Sequence, residues 1–239
     1  IKDNKINLVK QFLNNGLSPN NSLGGWTLLT HAVFNNNIDV VNLLIDLNVN
    51  VNLWNSKGKS PLALACDMNY LTIGKVLINN GADLEYKYPD GENLLTVTSR
   101  EGYLGFVKML LDEGPELNVD FKNEKEQSGL HLASYKGNED IAFYLLSKGA
   151  DINLKDSTNR SPIDYCLLGS YMDLAVKFKN YLNLVVVYQK ENIQSDKISK
   201  INLKVNTLIP GRYLFGYNVP VRNIGLLYTS DLKNWEVFN

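Results

Sequence analysis

A repeat of 33 residues constrains this chain more than any other feature. Gly25, Gly58 and Gly91 are spaced 33 residues apart, and each opens a similar phrase. The phrases are Gly25-Trp-Thr-Leu-Leu-Thr-His-Ala32, Gly58-Lys-Ser-Pro-Leu-Ala-Leu-Ala65 and Gly91-Glu-Asn-Leu-Leu-Thr-Val-Thr98. Two later copies run from Glu126 to Ala133 and from Asn159 to Cys166. A fixed period of this length means one supersecondary unit used again and again. A single unit cannot bury its own apolar face, so the copies must stack into a solenoid.

The second half of each copy is an apolar run at helical spacing. These runs are Val40–Ile45, Ile73–Ile78, Phe106–Leu111 and Ile141–Leu146. Two of them close on Gly81-Ala-Asp83 and Gly149-Ala-Asp-Ile-Asn153, with weaker versions at Gly114–Asn118 and Asn48–Asn52. The whole pattern resembles the ankyrin repeat over residues 1 to about 180. That resemblance implies an α-solenoid of about five units. The expected boundaries are a partial unit at 1–21 and repeats at 22–54, 55–87, 88–122, 123–155 and 156–180.

The residues account for such a unit locally. A Thr or Ser before each first helix can cap it, and Pro61 and Pro162 fall where no amide donor is needed. Small Ala32, Ala65 and Ala133 allow helices to approach closely. Gly81, Gly114 and Gly149 are expected to end the second helices in a left-handed conformation, with Asn48 replacing glycine. The fourth copy arrives two residues late, so Asn118–Gln127 is expected to form an extended, charged hairpin tip. The chain opens on Ile1, in what reads as the second half of a copy, so upstream residues are expected to be missing.

Residues 181–239 leave the period. Tyr181–Gln189 carries the β-branched run Val185-Val-Val187, and Ile201–Val205 alternates apolar and polar residues as a half-buried strand does. Gly211–Tyr217, Ile224–Tyr228 and Asn234–Phe238 read as further strands. This gives an expected β-rich domain at 181–239 that covers the exposed face of the last repeat, around Phe178, Tyr181, Leu182 and Leu184.

Composition narrows the function classes. A net charge of −1 provides no basic stripe for nucleic acid. No run approaches the ~18–20 apolar residues of a membrane span. A cytoplasmic monomer is expected, with a periplasmic or secreted location as the alternative because residues before Ile1 are expected to be missing. Asparagine is abundant, at about thirty residues, and is expected to reflect base composition. Cys66 and Cys166 occupy equivalent positions three repeats apart, too distant for a disulfide, and read as small core residues.

The search for chemistry finds little. His31 and His131 are the only histidines, and neither has metal-ligand spacing to another candidate. The resemblance gives His131 the role of bracing the turns. No phosphate loop or nucleophile elbow is present. No cofactor, metal or catalytic residue is expected.

The resemblance instead implies a concave face of hairpin tips and first helices that binds another protein. By phase its residues are Trp26, Phe34, Trp54, Lys57, Lys59, Met68, Tyr86, Tyr88, Glu92, Arg100, Phe121, Lys125, Gln127, Tyr135 and Arg160. The set is rich in residue types that dominate binding hot spots. The expected function is a non-enzymatic protein-binding module. Alternatives are a microbial immunity-type or antitoxin-type inhibitor or secreted effector, and a small enzymatic or carbohydrate-binding C-terminal domain carried by the repeats.

Overall fold

The computed structural model describes residues 10–11, 15–16, 18–114, 116–190, 218–219, 224–228 and 235–238. They form two compact units, Ile1–Glu124 and Lys125–Asn239. In the first unit a two-residue ladder of β1 (Ser22–Leu23) and β2 (Trp26–Thr27) leads into helix α1 (Leu28–Phe34). Then come α2 (Ile38–Asp46), α3 (Pro61–Asp67), α4 (Leu71–Asn79), α5 (Leu94–Glu101) and α6 (Leu104–Glu113). First helices stack on first helices, α1 on α3 on α5, and second on second, α2 on α4 on α6. The 33-residue period is therefore one helical hairpin and its tip.

The helix starts are set by side-chain caps. Thr27 accepts from Thr30 N–H at 3.0 Å and Ser60 from Ala63 N–H at 3.1 Å. Asn93 and Thr96 form a reciprocal box, with Thr96 N–H donating to Asn93 Oδ1 at 2.8 Å and Asn93 N–H to Thr96 Oγ1 at 3.0 Å. Both residues are buried, so water cannot replace either bond. Asn93→Ala is expected to cost ~1–2 kcal/mol of stability. A chemical denaturation midpoint equal to that of the parent would show that this box does not hold the helix.

The second helices end as the glycines suggested, with one correction. Gly81 has φ +82°, Gly149 φ +97° and Asn48 φ +53°. Gly114 instead has φ −117°. What requires glycine there is crowding, because a Cβ would lie 2.7 Å from Leu84 Cδ1 and 2.9 Å from the Leu110 carbonyl. Part of the asparagine excess also has a structural role. Asn36, Asn48, Asn69 and Asn159 take positive φ. Asn20 Oδ1 accepts from Asn50 N–H, and Asn52 Oδ1 accepts from Asp83 N–H, each at 2.8 Å, so each ties one repeat to the next.

The core of the first unit is a continuous apolar layer. Leu29, Val41, Leu44, Leu62, Ile73, Leu77, Leu94, Phe106 and Leu110 are all nearly or fully buried. Cys66 is buried, free and raised in pKa by burial and the nearby Asp67 charge, as suits a small core residue.

The second unit contains α7 (Gly129–Lys136), α8 (Glu139–Ser147), α9 (Pro162–Leu168) and α10 (Met172–Lys190). Buried His131 links its two tips. Ser128 N–H donates to Nδ1 at 3.1 Å and Nε2 faces the Arg160 carbonyl at 3.1 Å, which places the ring proton on Nε2. Cys166 is also buried and free. The strands β3 (Asn218–Val219), β4 (Ile224–Tyr228) and β5 (Trp235–Phe238) pair antiparallel in that order.

Tyr181–Gln189 is not a strand. Helix α10 runs through it, and the reason lies upstream. Leu174, Ala175 and Phe178 recur at helical spacing and are buried, with Phe178 edge-on to Phe143 at 5.8 Å. Packing of that face establishes the helix, and β-branched residues cost an established helix only tenths of a kcal/mol each. The exposed apolar groups of the last repeat are Leu167, Leu168, Tyr171, Met172 and Val176, not Phe178. Leu167 is exposed at the position where Cys66, Ser99 and Ser134 are buried in earlier copies. Cys166 therefore stands one place before the equivalent of Cys66, at the position of Ala65 and Ala133, which corrects the expected equivalence of the two cysteines. The expected strands at Ile201–Val205 and Gly211–Tyr217 fall outside the described residues, as does most of the partial unit expected at 1–21.

Candidate functional site

Hairpin tips and first helices carry the fifteen residues singled out by phase, and burial sorts them. In the first unit Trp54 is 63% exposed and Phe34 47% exposed, and Lys57 is also exposed. Trp26, Lys59, Met68, Arg100 and Phe121 are half-buried. Tyr86, Tyr88 and Glu92 are buried and belong beneath the surface instead of on it. In the second unit Lys125, Tyr135 and Arg160 are exposed and Gln127 is half-buried.

The first two tips are locked together. Ser56 N–H donates to the Gly25 carbonyl at 2.6 Å. Gly25 has φ +80°, and a Cβ there would lie 2.5 Å from Ser56 Cβ, so only glycine fits. Next to this joint, Trp26 meets Phe34 edge-to-face at 5.4 Å and tilts over His31, also at 5.4 Å. Leu23, 77% exposed, lies opposite Trp26 across the β1–β2 ladder. Phase did not select Leu23, because the glycine phrase starts after it. The β-pairing with Trp26 is what brings it in.

The buried tyrosines form the floor under Trp54. Tyr86 donates to the Gly58 carbonyl at 2.6 Å, and its ring meets Trp54 at 6.1 Å and 89°. Burial and the charges of Asp67 and Asp90 push its phenol up to about 12. Tyr88 meets Tyr86 at 5.0 Å and donates to Asp67 Oδ1 at 2.8 Å. Burial, with the Asp67 carboxylate, drives the Tyr88 phenol far above its ordinary value, so both hydroxyls stay protonated donors. Asp67 Oδ2 pairs with Lys59 Nζ at 2.5 Å. Sequence phase missed Asp67, although it is the acceptor that turns Tyr88 inward.

Glu92 is also internal. Arg100 Nη1 reaches both of its oxygens, at 2.5 and 2.6 Å. Burial raises the Glu92 carboxyl against the lowering effect of Arg100. Lys87 Nζ stands over the Phe121 ring at 5.4 Å.

In the second unit, Asp156 occupies the tip position held by Asn55 and Tyr88 in earlier copies. It accepts from Thr158 N–H at 2.9 Å, Arg160 N–H at 2.8 Å and Tyr165 O–H at 2.7 Å. Gln127 Nε2 lies 2.6 Å from the same phenol. Tyr135 meets Tyr165 edge-on at 6.3 Å. Gln127 and the Arg160 backbone are thus part of the tip's own hydrogen-bonding.

Among the described residues, no three His, Cys, Asp or Glu side chains converge as metal ligands would. No described helix is long and apolar enough to cross a membrane.

Stacked helical hairpins with hydrogen-bonded tips define a helical repeat protein. The chain belongs to the ankyrin repeat family, whose profile matches residues 1–88 and 75–156. It is 35% identical over 139 residues to the ankyrin repeat and KH domain-containing protein CBG24701 of Caenorhabditis briggsae, covering 57% of this chain and 5% of that protein. It is 31% identical over 183 residues to the ankyrin repeat and KH domain-containing protein mask-1 of Caenorhabditis elegans, covering 73% and 7%. Alpha-latrocrustotoxin-Lt1a of Latrodectus tredecimguttatus is 32% identical over 128 residues, covering 53% and 9%. The chain therefore spans only a small part of the length of these relatives.

Proposed function

We propose that this chain is a non-enzymatic module that binds a protein partner through the tips and first helices of its first unit. Ankyrin repeats imply protein–protein interaction, and one observation carries the reading to a place on this chain. Trp54 leaves 63% of its surface in water while its ring rests on the buried Tyr86. An indole held this way is a large apolar contact with little rotamer freedom left to lose on binding. Leu23, Trp26 and Phe34 extend the apolar area at the adjoining tip, and Lys57 stands on the same tip as Trp54.

Affinity capture with the parent protein and with the Trp26→Ala/Trp54→Ala double variant tests this. The parent should retain at least one protein that the double variant does not. Identical captured sets, with both proteins folded, would overturn the reading.

A further inference from the structure

We propose that the partner segment seated on the first two tips is acidic: an apolar anchor with a carboxylate beside it. The inference rests on the protein-binding reading above and adds the chemistry of what is bound. The surface has an apolar part, Leu23, Trp26, Phe34 and Trp54, and an ionic part, Lys57. The Ser56–Gly25 hydrogen bond joins the two tips that carry them.

Lys57 is the uncompensated charge of this surface. It is exposed, and among the described residues no carboxylate pairs with it. The neighbouring charges are already committed. Lys59 is paired with Asp67, and the second oxygen of Asp67 accepts from Tyr88. Between Ser18 and Cys66 the carboxylates are Asp39 and Asp46, and both stand on the second helix α2, not on a tip or first helix. At the third tip, exposed Lys87 lies over the Phe121 ring at 5.4 Å and exposed Asp90 accepts from Glu92 N–H at 3.3 Å. A partner that covers Trp54 also removes water from the neighbouring ammonium. Desolvating an unpaired ammonium is costly, whereas a carboxylate from the partner offsets that cost. A basic segment would meet like charge and lose its hydration as well, so the surface selects against it.

Selection from a random peptide library displayed on phage, with the full chain as bait, tests the inference. Peptides retained by the parent and lost with Trp26→Ala/Trp54→Ala report the surface. These should be net negative. Their affinity should fall with rising sodium chloride and by at least about tenfold in Lys57→Glu, or ~1.4 kcal/mol. Tryptophan-dependent peptides that are neutral or basic would overturn the acidic assignment while leaving the binding reading intact. So would acidic peptides indifferent to Lys57→Glu. An absence of tryptophan-dependent peptides would count against the binding reading itself, and the acidic assignment would fall with it.

Discussion

Phe106→Ala should destabilise the first unit by ~3–5 kcal/mol, the range for deleting a buried aromatic side chain. Phe106 is fully buried on α6, and its ring abuts Gly74 in the middle of α4. A Cβ on Gly74 would lie 2.5 Å from Phe106 Cε1, 2.8 Å from Cζ and 3.1 Å from Met109 Cε. The missing side chain at Gly74 is what lets two second helices close on the ring. Gly74→Ala alone should therefore overpack and cost ~1–3 kcal/mol. In the Phe106→Ala background the clash with the ring is gone, and only the flexible end of Met109, at 3.1 Å, has to give. There the same substitution should be neutral or stabilising, because alanine is favoured over glycine in a helix by ~0.8–1 kcal/mol. Urea unfolding of the four proteins closes a double-mutant cycle. Additive effects would mean that the two residues do not meet as the structure places them.

Asp156→Ala should produce the second large loss, in the second unit. The carboxylate is buried and accepts two backbone N–H bonds and the Tyr165 hydroxyl. Hydrogen bonds to a charged group contribute ~1.5–3 kcal/mol, and truncation leaves several donors unsatisfied together. A loss of about 3 kcal/mol or more is expected. The pH dependence identifies the cause. Burial alone would raise this carboxyl, but bonds from Arg160 N–H, Tyr165 and Thr158 outweigh it and hold it well below the ordinary range. A depressed folded-state pKa stabilises the protein above the unfolded value of about 3.9 and is lost as pH falls toward the folded one. The stability gap between parent and Asp156→Ala should be full at neutral pH and shrink progressively below about pH 5. A gap independent of pH would assign the loss to packing instead of to the charge.

The repeat architecture was readable because one period carries several agreeing signals. Proline stands at the first helical position in Pro61 and Pro162, and Asn48 takes the left-handed conformation that its place in the phrase implied. The direction a tip aromatic faces was not readable. Trp54, Tyr86 and Tyr88 all fall on tips, yet the tyrosines turn inward because the Gly58 carbonyl and Asp67 accept from their hydroxyls. Those acceptors lie 28 and 21 residues away in the chain, so no local pattern shows them. Gly114 was misread for a related reason: its crowding comes partly from Leu84, one repeat earlier. At Val185–Val187 local propensity pointed to a strand, and the buried face of α10 upstream overrode it.

Titration calorimetry with a captured partner measures the central claim most directly. The parent, Trp54→Ala and the Trp26→Ala/Trp54→Ala double variant would be titrated under one buffer, after circular dichroism shows equal helix content. Truncating a buried aromatic anchor typically costs ~2 kcal/mol or more. Trp54→Ala should therefore weaken binding at least roughly tenfold, since ~1.4 kcal/mol is a factor of ten, and the double variant should weaken it further. A double variant that binds with the parent's affinity would contradict the account and place the partner on another surface of the chain.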